Sequence, residues 1–190
     1  MKPELLAPAG NLRKLKCALN FGADAVYAGC KAFSLRAFAD NFTEEEPAEG
    51  IAYAHARGKK VYVAVNIFAR NADLSAMEEM FVRLQAMKAD AALVSDLGAL
   101  ALCRRAAPAL PVHVSTQANV TNLEAARAFH ALGASRVVLA RELSFAEIAA
   151  IHAACPLLEL ECFVHGAMCI SYSGRCYLSD YLDGRPANRG

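Results

Sequence analysis

The chain has 190 residues, a formal net charge of +1 and an apolar fraction of 56 %. That length accommodates a substantial core within a single domain spanning 1–190, the near-zero charge gives no global electrostatic case for nucleic acid, and no apolar run approaches the roughly 18–20 residues of a membrane span. Seven cysteines, an odd number with no apolar leader ahead of them, fit a reducing cytosol rather than a disulfide framework, so a cytoplasmic protein with no membrane partner is expected.

Short apolar runs alternate with helical patterns along the whole chain. The runs are 4–7, 25–28, 60–65, 91–94, 112–114, 136–140 and 158–164. Their β-branched content and largely continuous apolarity predict strands covered on both faces, as in a parallel sheet. Between them, Thr43-Glu-Glu-Glu46 and Ser144-Phe-Ala-Glu147 read as capping boxes, Asn122 as a further cap, and Met77, Met80, Phe81, Leu84 and Met87 as the core stripe of a helix. Gly22-Ala-Asp-Ala-Val-Tyr27, Lys88-Ala-Asp-Ala-Ala-Leu93 and Gly133-Ala-Ser-Arg-Val-Val138 form a weak repeat that joins a helix end to a strand start. Strand starts fall about 26 residues apart, near the length of one βα unit. Seven such units in series predict an α/β fold, an incomplete TIM-type (β/α) barrel with about seven parallel βα units, shorter than the roughly 250 residues of a complete barrel. The chain therefore reads as the N-terminal barrel portion of a longer protein. An open sheet also leaves edges unpaired and predicts association, as a homodimer or by aggregation.

Barrel chemistry sits at the C-terminal ends of the strands. Those ends bring Tyr27, a following loop with Arg36, then Asn66, Ser95-Asp96, Ser115-Thr116-Gln117 with Asn119, Arg141-Glu142, and His165. Such a ring suits a small anionic ligand: Arg36 and Arg141 can grip a carboxylate or phosphate bidentately, and His165 can move a proton. Asp96, Asn119 and Ser115 read first as caps of strand-to-helix turns. The small basic groups Arg13, Lys14, Lys16 and Arg175, Arg185, Arg189 read as solvated surface. Glu4 and Glu161 fall inside apolar runs, where an unpaired carboxylate is costly, so each is expected to pair with a base, an arginine of the ring being the candidate.

After the seventh run a Ser- and Gly-rich loop (166–190) carries Cys169 and Cys176. Thiols on flexible backbone just past a strand suit metal or iron–sulfur ligation, although a thiolate cluster needs about four ligands and this loop supplies two. Cys17, Cys103 and Cys155 read as packing residues, Cys162 as pointing away from Glu161, and Cys30 as the one extra thiol near the mouth. No His-Glu-x-x-His helix and no Gly-x-Ser-x-Gly elbow is present.

The stretch Glu161-x-Phe163-x-x-Gly166-Ala167-Met168-Cys169, then Gly174-x-Cys176-x-Leu178-Ser179, resembles the signature of a bacterial collagenase-like peptidase family, family thirty-two of the unknown-mechanism peptidases. Glu4-Leu-Leu-Ala-Pro-Ala-Gly10, Ser34-Leu-Arg36, Asn41-Phe42, Val65-Asn66 and Ser115-Thr-Gln117 agree with it. The resemblance is strongest to the tRNA hydroxylation branch. It implies an iron–sulfur-dependent enzyme forming 5-hydroxyuridine at the tRNA wobble position. Cys169 and Cys176 would then be the first two ligands of a four-iron four-sulfur cluster, with prephenate as the small anionic co-substrate. The same resemblance allows two alternatives: a metal-dependent collagenase-like peptidase, or a non-catalytic partner subunit of a hydroxylation complex.

Overall fold

The computed structural model describes residues 2–29, 33–34, 42 and 46–184. Seven strands, β1 (Leu6–Ala9), β2 (Ala25–Gly29), β3 (Lys60–Ala64), β4 (Ala91–Val94), β5 (Val112–Val114), β6 (Arg136–Val138) and β7 (Glu159–Glu161), pair in chain order, every pair parallel. Helices α1 (Leu12–Asn20), α2 (Glu46–His55), α3 (Leu74–Ala86), α4 (Leu97–Ala106), α5 (Leu123–Ala131) and α6 (Phe145–Ala154) make the crossovers, and a short α7 (Leu178–Asp183) follows the last strand. A parallel sheet whose neighbours in space are neighbours in sequence, with a helix after each of its first six strands, is the incomplete TIM-type barrel expected from the pattern.

The strand composition follows from burial on both faces. On β3, Val61 and Val63 pack into the layer between sheet and helices, while Tyr62 between them packs inward with Ala25, Ala91 and Leu93. The period-2 alternation thus separates two apolar environments rather than core from water. On α3, Met77, Phe81 and Leu84 are buried, and Met80 and Met87 pack against the same layer.

The weak repeat has a structural meaning at both of its ends. Gly22, Lys88 and Gly133 take positive φ values of 104°, 60° and 98°, the left-handed turn that lets the chain leave a helix. The polar residue two positions on then latches onto the preceding strand. Asp24 accepts from the Leu5 backbone N–H at 3.1 Å, Asp90 from that of Val61 at 2.7 Å, and the Ser135 hydroxyl donates to the Val112 carbonyl at 3.1 Å. Three polar side chains therefore fix the start of three strand pairs. The caps also form as expected: Asn122 accepts from Ala125 N–H, and Ser144 and Glu147 close a capping box. Thr43 lies outside the described residues.

Two strand expectations need correction. The first strand begins at Leu6, so Glu4 lies ahead of it. The seventh ends at Glu161, and Cys162, Phe163 and Val164 leave the sheet and are exposed. Among the described residues β7 has a pairing partner on one side only, so apolarity alone does not extend it.

The expected partner of the two partly buried carboxylates also changes. Glu4 and Glu161 do pair with an arginine, but it is Arg136, at the start of β6, and not a residue of the opposite ring. Its guanidinium lies 2.9 Å from Glu4, 2.6 Å from Glu159 and 3.4 Å from Glu161. Tyr62 donates to Glu4 at 2.8 Å, Lys60 to Glu4 at 3.1 Å, and the His113 ring stands edge-on to Tyr62 with centroids 4.7 Å apart. This network fills the N-terminal end of the barrel interior, opposite the mouth where chemistry belongs.

Candidate functional site

The C-terminal ends of the strands surround a cavity of about 790 Å³. Gln117 and Arg141 line it from the strand ends, and His165, Cys169 and Cys176 line it from the loop that follows β7. The structure therefore brings together five of the sequence-expected site residues. Phe163 of the signature lines it as aromatic wall, and Phe68 and Tyr172 add wall that the sequence reading did not single out.

The loop is docked by a small set of polar contacts. Arg141 donates through Nη1 to the Cys169 carbonyl at 3.0 Å, through Nη2 to the Ser171 carbonyl at 2.9 Å, and through Nε to the Ser173 hydroxyl at 3.3 Å. The Arg141 backbone N–H meets the same hydroxyl at 3.3 Å. Glu142 accepts from the Ser173 backbone N–H at 2.9 Å. Burial would raise the Glu142 carboxyl, but the Ser173 N–H and hydroxyl and the neighbouring Arg141 together hold it below its ordinary value. Arg141 and Glu142, expected from sequence to face a ligand, are thus engaged with the cysteine loop itself.

Ser173 is 1 % exposed within a stretch where Ile170 is 98 % and Tyr172 62 % exposed, so it is the point at which the loop enters the protein. Gly174 beside it has φ +77°, and a Cβ there would come within 2.9 Å of the Gln117 backbone and closer still to its carbonyl oxygen. Only glycine permits that approach. Neither residue carries a periodicity signal; the Ser-x-Ser-Gly sequence reads as loop, and only the contact with Gln117 shows why the glycine stands there.

The two thiols sit together on this loop. The Ser171 backbone N–H, and next the Cys176 thiol, hold the Cys169 sulfur below the ordinary thiol value. Both cysteines are exposed. A pair of adjacent, solvent-facing sulfurs, one biased toward thiolate, has the chemistry of soft-metal ligation. It fits half of a four-thiolate set. Among the described residues no group of three or more His, Cys, Asp or Glu is arranged to hold a metal ion.

The remaining expected residues fall below or beside the mouth. Asn66, after β3, donates to Gln117 at 3.4 Å and to Ser115 at 3.5 Å, and the Ser115 hydroxyl also bonds Gln117. Tyr27 packs in the barrel interior against the Tyr62 layer. Asp96 caps α4 through the Ala99 N–H at 2.9 Å, and Asn119 takes the left-handed φ of 52° that ends a turn. Cys103 and Cys155 are buried as expected, whereas Cys17 is exposed on the outer side of α1 and does not pack. Arg36, Cys30, Arg185 and Arg189 lie outside the described residues. Among the described residues no helix is long and apolar enough to cross a membrane.

The profile of peptidase family U32 matches residues 10–190. The chain is 51 % identical to the tRNA hydroxylation protein P of Helicobacter pylori over 98 % of its own length and 44 % of that protein's. It is 38 % identical to a 23S rRNA 5-hydroxycytidine synthase of Escherichia coli over 98 % of this chain and 28 % of that one. It therefore spans less than half the length of these relatives. Among solved structures, that of the U32 peptidase Mk0906 superimposes with a TM-score of 0.68 at 17 % identity, covering 85 % of this chain and 67 % of the other, which supports the fold.

Proposed function

We propose that this chain, which belongs to peptidase family U32, is the thiol-bearing barrel of an enzyme that hydroxylates tRNA, forming 5-hydroxyuridine at the wobble position. The observation that carries the reading is the placement of Cys169 and Cys176 side by side on a loop docked over the barrel mouth. Identity of 51 % to a tRNA hydroxylation protein over nearly the whole chain supports the same reaction class.

Cys169 and Cys176 would hold two corners of a four-iron four-sulfur cluster, with the other ligands supplied from outside the described residues. Such a cluster, when bound, supplies one-electron transfer. The chain's own residues supply the setting. The aromatic wall of Phe68, Phe163 and Tyr172 offers faces on which an unstacked pyrimidine can lie. Gln117 offers an amide to its polar edge, and His165 at the rim can give or take a proton. A small anionic co-substrate, prephenate in this reading, fits a cavity of about 790 Å³ with room beside it for a base.

Collagenase-like proteolysis requires an activated water and an oxyanion stabiliser aimed at one point. Of the polar groups at the mouth, Asn66, Ser115 and Gln117 instead bond one another, and Arg141 and Glu142 hold the loop. Nucleoside analysis of bulk tRNA from a strain lacking the gene tests the proposal. Loss of 5-hydroxyuridine derivatives is expected, and an unchanged nucleoside profile would overturn it.

A further inference from the structure

We propose that Arg141 and Glu142 are positioning residues that set the spacing and orientation of the Cys169–Cys176 thiol pair, a role separate from any contact with substrate. Packing does little for this loop, since Met168 is 68 % and Ile170 98 % exposed. What fixes it is a polar clamp from the end of β6. The Arg141 guanidinium takes three acceptors spread over five residues, the carbonyls of Cys169 and Ser171 and the hydroxyl of Ser173. Glu142 takes the Ser173 N–H on the other side. One of the clamped carbonyls belongs to Cys169, so the backbone of that thiol is held directly. The other thiol follows Gly174, which is pressed against the Gln117 backbone.

The residue types suit the task. A guanidinium offers five N–H donors in a rigid plane and can serve three acceptors at once, whereas an ammonium is a single mobile point charge. Bonds from an ionised donor are also the stronger class, which matters where each is partly open to water. Ser173 is the hub: its hydroxyl accepts twice from Arg141 and its N–H donates to Glu142, at the one buried position among the described residues of the loop.

The link to hydroxylation rests on the function proposed above; the clamp itself does not. The test uses the full chain and phenylarsine oxide, which binds tightly only where two thiols can reach one arsenic. The unaltered chain should bind it, and Cys169→Ala should abolish that binding. Arg141→Ala should weaken it by about tenfold or more, the loss of charge-assisted bonds that preorganise the pair. Arg141→Lys should stay closer to the alanine variant than to the parent, because charge without the fork cannot hold both carbonyls. Glu142→Gln and Ser173→Ala should speed hydrogen–deuterium exchange across 169–176 while leaving the melting temperature near that of the parent. Should Arg141→Ala not fold, these two variants carry the same test. Binding within about twofold of the parent in Arg141→Ala, Glu142→Gln and Ser173→Ala would overturn the clamp. A strain whose tRNA nucleosides are unchanged while the arsenic arms behave as expected would defeat the hydroxylation reading alone.

Discussion

Arg136 and Glu4 stand 132 positions apart in sequence and 2.9 Å apart in space. Their contact joins the residue ahead of the first strand to the start of the sixth and ties off the N-terminal end of the barrel. The Arg136 side chain is 8 % exposed and serves three carboxylates, so its removal leaves their charges without a shared cation. Arg136→Met is expected to cost about 3–5 kcal/mol, measured by urea unfolding. Glu159→Gln, at a side chain 60 % exposed, should change stability by no more than about 1 kcal/mol.

Acid should destabilise the fold before the carboxylates are reached. Burial, with the Arg136 charge beside it, pushes the His113 imidazole down to about 3. The unfolded chain binds that proton near its ordinary value of 6.5, so stability is complete above 6.5 and is lost as pH falls toward 3. Glu4 adds loss of the same sign at lower pH. Burial would raise its carboxyl, but hydrogen bonds from Tyr62, Arg136 and Lys60 outweigh that and hold it below its ordinary value. Glu161 has the opposite sign, since burial keeps its carboxyl raised despite Arg136, and it gains stability as pH falls through that raised value. Denaturation midpoints measured from pH 7 to pH 4.5 should therefore decline in the parent, flatten in His113→Phe and steepen in Glu161→Gln. His113→Phe also removes a buried ring nitrogen, Nδ1, that has no partner among the described residues. Identical slopes in all three proteins would refute this assignment.

Gly174→Ala should undock the cysteine loop without unfolding the barrel. The new methyl would press into the Gln117 backbone, which cannot move as a side-chain tip does, at a φ of +77° that costs a further 1–2 kcal/mol or about that. Thermal melting should shift little, because residues 166–177 contribute few buried apolar groups. Amide exchange across 169–176 should rise sharply. A loop that stays protected in Gly174→Ala would mean that it is held some other way.

Lys88 occupies the position that glycine takes in the sister turns, at a φ of 60°. Lys88→Gly relieves the left-handed penalty of a side chain, and stability should rise by up to about 1 kcal/mol in chemical denaturation. Gly133→Ala should do the reverse. Its Cβ would lie 2.9 Å from the Arg104 Nε in addition to the strain of φ +98°.

The fold was legible because its signals are local and repeated. Gly22, Lys88 and Gly133 with their following polar residues marked three helix-to-strand joins, and each of those residues proved to latch a strand. Asn122 and Ser144 announced their helices for the same reason, a cap being written within four residues. The thiol pair was legible from loop composition and from resemblance. What sequence could not reveal were relations across distance. Arg136 reads as the first residue of an apolar run, and nothing local says that three carboxylates converge on it. Arg141 and Glu142 sit where ligand-binding residues belong, and their attachment to a loop some 30 positions onward appears only in the folded chain. Strand ends suffered similarly: Cys162, Phe163 and Val164 continue the run as apolar residues, yet pairing stops at Glu161 because β6 itself stops at Val138.

The most direct measurement is complementation of the deletion strain with the full-length gene carrying Cys169→Ala, Cys176→Ala or no change, followed by mass spectrometry of tRNA nucleosides. The parent gene should restore 5-hydroxyuridine derivatives and each single-cysteine allele, at matched protein level, should not. Restoration by either cysteine allele would contradict a role for the paired thiols in tRNA hydroxylation.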